Sequence, residues 1–112
     1  MDRDETRTVL ERLAAAVPGL QVKGKAMPYL AVNGNMFAFA DPEGALCLRF
    51  SEAERAQLAA EFGTGPVEQY GAVMRGYVAL PEAVIADTAR LQALFAACLD
   101  HARQLKPKPT KR

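Results

Sequence analysis

The stretch Tyr29–Phe50, YLAVNGNMFAFADPEGALCLRF, decides how the rest of the chain is read. Asn33-Gly34 sits between two apolar runs. It is the strongest short-range hairpin signal, because a type I′ turn needs positive φ at both central residues. With these two as the loop, Val32 faces Asn35 and Leu30 faces Phe37. Strand alternation then places Pro28, Leu30, Val32, Phe37 and Phe39 on one face, and Tyr29, Ala31, Met36, Ala38 and Ala40 on the other. Both faces are apolar, and the bulkier Leu/Phe face is expected beneath helices. Asp41-Pro42-Glu43-Gly44 has the Pro and Gly positions of a type I turn. The strand after it points Leu46, Leu48 and Phe50 one way and Cys47 and Arg49 the other.

Outward from this meander, helices are expected on both sides. Before it, Val9, Leu10, Leu13, Ala16 and Val17 recur at helical spacing until Pro18-Gly19. After it, Ser51 and Glu54 form a capping box for a helix that runs to Phe62, with Gly63 as a left-handed cap. Val67–Tyr70 and Arg75–Leu80 read as two more strands. Asp87 is the expected N-cap of a long final helix, whose stripe runs through Leu91, Leu94, Phe95, Cys98, Leu99, Ala102 and Leu105. The expected fold is therefore α+β in the order α-β-β-β-α-β-β-α. It has a five-stranded antiparallel sheet and the C-terminal helix packed on one face. Residues 1–105 form the expected domain, and 106–112, with two prolines and four basic charges, a disordered basic tail.

The composition fits one domain with its own core: 112 residues, half of them hydrophobic. No apolar run approaches the ~20 residues of a membrane helix. The opening MDRDETRTVLERL is charged throughout, unlike a secretory signal. Cys47 and Cys98 lie in apolar surroundings and read as reduced core thiols, so a cytoplasmic location is expected. The net charge of +1 conceals an asymmetry, since residues 103–112 carry five basic groups and no acid. The other 102 residues hold nine basic and thirteen acidic groups, about −4. A duplex-binding domain would instead place positive charge on a structured face.

The hairpin with Gly34, Met36, Phe37 and Ala38, the following Leu46, Leu48 and Arg49, and the later Gly76, Tyr77 and Pro81 ahead of an apolar, alanine-rich helix together resemble the N-terminal domain of TfoX/Sxy-type competence regulators, a family related to the YjbR-like group. The likeness spans about residues 20–103. Where that family opens its first strand with Met-Phe-Gly-Gly, this chain has Met27-Pro28-Tyr29. The resemblance implies an antiparallel sheet packed with helices, no established catalysis, no cofactor, and a regulatory or protein-interaction role.

The residues themselves offer little chemistry. His101, the one histidine, lies beside the apolar stripe of the last helix, where the helix dipole or solvation accounts for it. Cys98 precedes it by three residues, near enough for a dyad, yet is centred in the stripe. Two cysteines and one histidine on separate elements make a poor zinc site. Catalytic, cofactor-binding and metal roles are accordingly left unassigned. Arg49 on a central strand offers a planar fork to carboxylate or phosphate, with Arg75 and Tyr77 beside it if the last strand lies alongside. Tyr29 and Met36 belong to a face too apolar to be left in water. Either the first helix covers it or another chain does, a protein partner or a second copy. Tyr29, Met36, Arg49, Arg75 and Tyr77 thus form the expected interaction surface. The alternative is a nucleic-acid module using the basic tail and the Arg49 face, and the third reading is a small-molecule enzyme.

Overall fold

A computed structural model describes residues 2–69 and 71–107. Its first helix, α1 (Arg3–Ala15), begins at a capping box: the Asp2 carboxylate accepts from the Glu5 amide, and Glu5 accepts from the Asp2 amide. Strands β1 (Tyr29–Val32), β2 (Asn35–Ala40) and β3 (Leu46–Arg49) form the meander, and Asn33 and Gly34 have φ of 52° and 77°, as the type I′ turn requires. Helix α2 (Glu52–Phe62) starts at the Ser51–Glu54 capping box and ends on Gly63 at φ 69°. The strands β4 (Val67–Gln69), β5 (Ala72–Met74) and β6 (Tyr77–Ala79) follow, then a short helix α3 (Glu82–Ala86) and the long α4 (Thr88–Gln104) capped by Asp87.

The sheet differs from the expected five strands. It has four, all antiparallel, in the order β1-β2-β3-β6, while β4 and β5 pair with each other as a separate hairpin. Gly71 and Gly76, both at positive φ, make turns close enough together to fit three strands where two were expected. The last position of the expected strand Val67–Tyr70 lies outside the described residues.

The register differs too. Tyr29 pairs with Phe39 and Leu30 with Ala38, but Ala31 pairs with Met36. Phe37 is thus the extra residue of a β-bulge, with Phe37 and Ala38 together opposite Leu30. Two consecutive bulged residues face the same side, and every later residue of the strand changes face. Phe37, Ala38 and Ala40 consequently share a core with Leu30, Leu46, Leu48 and the helices, whereas Phe39 turns to the opposite face beside Cys47. The expectation that Phe37 and Phe39 share a face is corrected by this one residue. The small Ala38 and Ala40 let the helices come close.

Helices α1 and α4 both cover this face. Phe95 meets Phe37 with ring centroids 5.9 Å apart, and Phe95, Cys98 and Leu99 join Leu30, Phe37, Leu46 and Leu48 in one buried cluster against which Leu94 packs. The buried Thr6 hydroxyl donates to the Gly44 carbonyl, fastening α1 to the β2–β3 turn. Helix α2 buries only Leu58. It is fastened to α4 by a two-pronged Arg90–Glu61 ion pair (2.6 and 3.0 Å), with the Arg90 guanidinium 5.6 Å from the Phe62 ring centre. That arginine holds the Glu61 carboxyl below its ordinary range.

The opposite face is covered in part by a hairpin rather than by the first helix. The β4–β5 hairpin lays Val67 and Met74 over Phe39, Cys47 and Tyr77, and Met27, Tyr29 and Met36 pack around them. Of the expected tail, Lys106 and Pro107 are described and 108–112 lie outside the described residues. Lys106 is joined to the body, because its carbonyl accepts from the side-chain amide of Asn35, 3.0 Å away.

Three stability measurements follow. Phe37→Ala is expected to cost about 3–5 kcal/mol. Ala38→Leu should cost about 1–3 kcal/mol by overpacking the helix face. Urea midpoints check both, and a neutral Ala38→Leu would place Ala38 on the other face. Asn35, 3% exposed, should cost about 1 kcal/mol on truncation to Ala, with faster amide exchange confined first to the last turn of α4.

Candidate functional site

The meander's exit builds the site. At the end of β3, Arg49 lies opposite Tyr77 of β6 in the ladder, so both side chains share the face of Cys47. The chain then turns through Phe50 and Ser51 into α2, and Arg55 on that helix's second turn reaches back. Its Nη1 donates to the Phe50 carbonyl at 2.7 Å. The Phe50 amide donates to the Gly76 carbonyl at 2.8 Å, which fixes the β5–β6 turn beneath these two arginines.

Gly76 is favoured there chiefly by its backbone conformation. Its φ is +87°, and a Cβ at this position would lie 3.3 Å from Arg49 Cγ, 3.4 Å from Arg49 Nε and 3.6 Å from Arg55 Nη1. A Cβ would be slightly tight against Arg49 Cγ and in ordinary contact with the other two atoms, so the positive φ is the stronger reason for glycine here. Arg75 stands next to it, exposed. Arg55, Arg75 and Gly76 line a cleft of about 360 Å³ together with Glu52, Thr64 and Val73. None of Arg49, Arg55 and Arg75 forms an ion pair with a carboxylate among the described residues. Nearby, Glu54 is engaged by Ser51, and Glu52 is the carboxylate in the lining. Val73 is 55% exposed, the one large hydrophobic side chain so open among the described residues.

The five residues expected to form an interaction surface separate into two groups. Arg75 and Tyr77 line this cleft, and Arg49, outside the lining, packs against Gly76 at its edge. Tyr77 also belongs to the interior. Its ring meets Phe39 edge-on at 5.1 Å, its hydroxyl donates to the Met36 carbonyl at 2.7 Å, and burial raises its pKa, opposed by the Arg49 charge. Tyr29 and Met36 are half-buried partners of that interior cluster. Arg55 and Gly76 complete the cleft and were not expected in it. The signal for Arg55 was the strand–capping box–helix junction, which turns the chain back so that residues six apart meet.

Elsewhere the side chains are occupied structurally. The Cys98 thiol donates to the Phe95 carbonyl at 3.2 Å, and His101 is half-buried near the end of α4. Burial, reinforced by the Asp41 charge, pushes the Cys47 thiol up to about 12, and burial raises Cys98 as well. No group of three His, Cys, Asp or Glu side chains among the described residues could hold a metal ion. No described helix is long and apolar enough to cross a membrane. A larger cleft of about 400 Å³ between α1 and α4 is almost wholly apolar, its polar lining being Arg12, Thr88 and Gln92. No protein-family model matches the sequence, and no curated protein matches it either.

The buried thiols and phenol set the alkaline limit. Each keeps its proton in the fold but releases it more easily when unfolded, so the unfolded state binds fewer protons at high pH and stability falls as pH rises. The window opens near the ordinary cysteine value of 9.0 and extends toward 12 for Cys47. Thermal midpoints should be flat from pH 7 to 8.5 and fall steadily between pH 9 and 11. Cys47→Ala should flatten part of that fall.

Proposed function

We propose that the protein is a small non-catalytic interaction domain of the regulatory kind suggested by its likeness to TfoX/Sxy N-terminal domains, acting in the cytoplasm and engaging an anionic group of a protein partner at the Arg49–Arg55–Arg75 cleft. The observation that carries this reading is that Arg49 Nε and Arg55 Nη1 stand 3.4 and 3.6 Å from one point over Gly76, with Arg75 in the adjoining cleft lining, and that none of the three is paired to a carboxylate among the described residues. Folding gains nothing from bringing cations together, whereas a partner's anion would be held by every one of them. The choice of residue supports it. Arginine is enriched in protein interfaces and lysine is depleted, and the exposed Val73 in the same lining supplies an apolar anchor.

Nucleic acid is the second reading, favoured by the same unpaired arginines. The surroundings weigh against it. The chain outside its last ten residues is acidic by about four charges, so an extended polyanion leaving the cleft meets repulsion. Charge reversal separates the two. Arg49→Glu with Arg75→Glu is expected to abolish capture of whatever protein the wild type retains, with the thermal midpoint nearly unchanged. Duplex DNA should bind weakly if at all. Tight DNA binding with a steep salt dependence, lost in the same double variant, would establish the nucleic-acid reading instead.

A further inference from the structure

Building on that interaction reading, we infer that the cleft is a receptor for a phosphate monoester, carried as a phosphorylated side chain on the protein partner. The geometry of Arg49 and Arg55 points to it. Their nitrogens lie 3.4 and 3.6 Å from one common point above Gly76, and so stand no more than about 7 Å apart. Charge-assisted bonds of ~2.8 Å to two oxygens of one phosphate fit within that span. A carboxylate is satisfied by one guanidinium fork and would leave the second arginine uncompensated. A monoester near neutral pH carries close to two charges and three acceptor oxygens, which matches two apposed guanidinium groups with Arg75 at the turn beside them.

The other charges of the site fit this occupant. Arg55 is held at one end by the Phe50 carbonyl and keeps its remaining donors free for the cleft. Glu54 is engaged by the Ser51 hydroxyl and is not in the cleft lining. Glu52 lines the cleft without pairing with the arginines, so it disfavours weakly charged ligands that cannot outweigh it. A diester brings a single charge and a chain on both sides, and the cleft of about 360 Å³ has an acidic body around it. A terminal dianion avoids both penalties.

Amide NMR titration tests the proposal on the full chain. The probes are inorganic phosphate, a short phosphoserine peptide, its unphosphorylated and glutamate counterparts, and a single-stranded oligonucleotide. Phosphate and the phosphopeptide are expected to shift the Gly76 amide and to saturate, the phosphopeptide binding at least tenfold more tightly than its glutamate counterpart. Affinity should fall several-fold between pH 7 and pH 5, as the monoester takes up its second proton near pH 6. Arg49→Gln and Arg55→Gln should each weaken binding about tenfold. Arg49→Lys, which keeps the charge and loses the fork, should recover only part of it, with unchanged spectra elsewhere as the check on folding. Glutamate and phosphoserine peptides binding equally, an affinity independent of pH, or an oligonucleotide binding more tightly than the phosphopeptide would overturn the phosphate assignment and leave an acidic-partner or nucleic-acid cleft. If no anion perturbs Gly76, both the assignment and the cleft-based interaction reading fail.

Discussion

The structure turns on a single extra residue. Phe37 bulges out of the β1–β2 ladder, and the pleat before and after it is out of phase. Without the bulge, Phe37 and Phe39 would both press on the helices, and two alanines would line the reverse face. With it, one phenylalanine goes to each side. The helix face receives Phe37 and the small Ala38 and Ala40, so α1 and α4 settle close to the sheet. The reverse face receives Phe39, which with Cys47 and Tyr77 makes a second, smaller core large enough to hold the β4–β5 hairpin. That hairpin positions the turn at Gly76, and the turn positions the arginines.

The parts legible in the sequence were those fixed by local chemistry. Asn33-Gly34, the Ser51–Glu54 box, Gly63 and Asp87 each satisfy a backbone requirement within a few residues, and each stands where its type predicts. The stripe of α4 was legible because only one of its faces is apolar. The bulge was not, because Met36-Phe37-Ala38-Phe39-Ala40 is apolar in either phase. Hydrophobic alternation fixes register only when one face is polar. The separate hairpin was missed for a related reason: three-residue strands joined by glycine turns carry too little pattern to show that they leave the main sheet.

The candidate site was half legible. Arg49 stood out as a charge on an apolar strand, and Tyr77 was expected near it only if the last strand lay alongside; the structure pairs the two. Arg55 did not stand out, because on a mostly exposed helix an arginine is ordinary. Its significance comes from the turn at Ser51, which sends the helix back across the strand end, and from the turn at Gly76, over which Arg49 and Arg55 both lie. Site chemistry here is a product of chain reversal: the Ser51–Glu54 junction signals the first turn, while the approach of Gly76 from a distant hairpin lies outside any local window.

The bond between Asn35 and Lys106 spans 71 positions. It joins the first hairpin to the end of the last helix, and α4 covers β1, β2 and β3 alike. During synthesis, then, Leu30, Phe37, Leu46 and Leu48 leave the ribosome well before the helix that shelters them. Helix α1 is made first and can shelter part of that face, but the part that α4 covers stays open to water until that helix is released. Closure of this core therefore waits on α4, and in that interval self-association of the open face competes with folding.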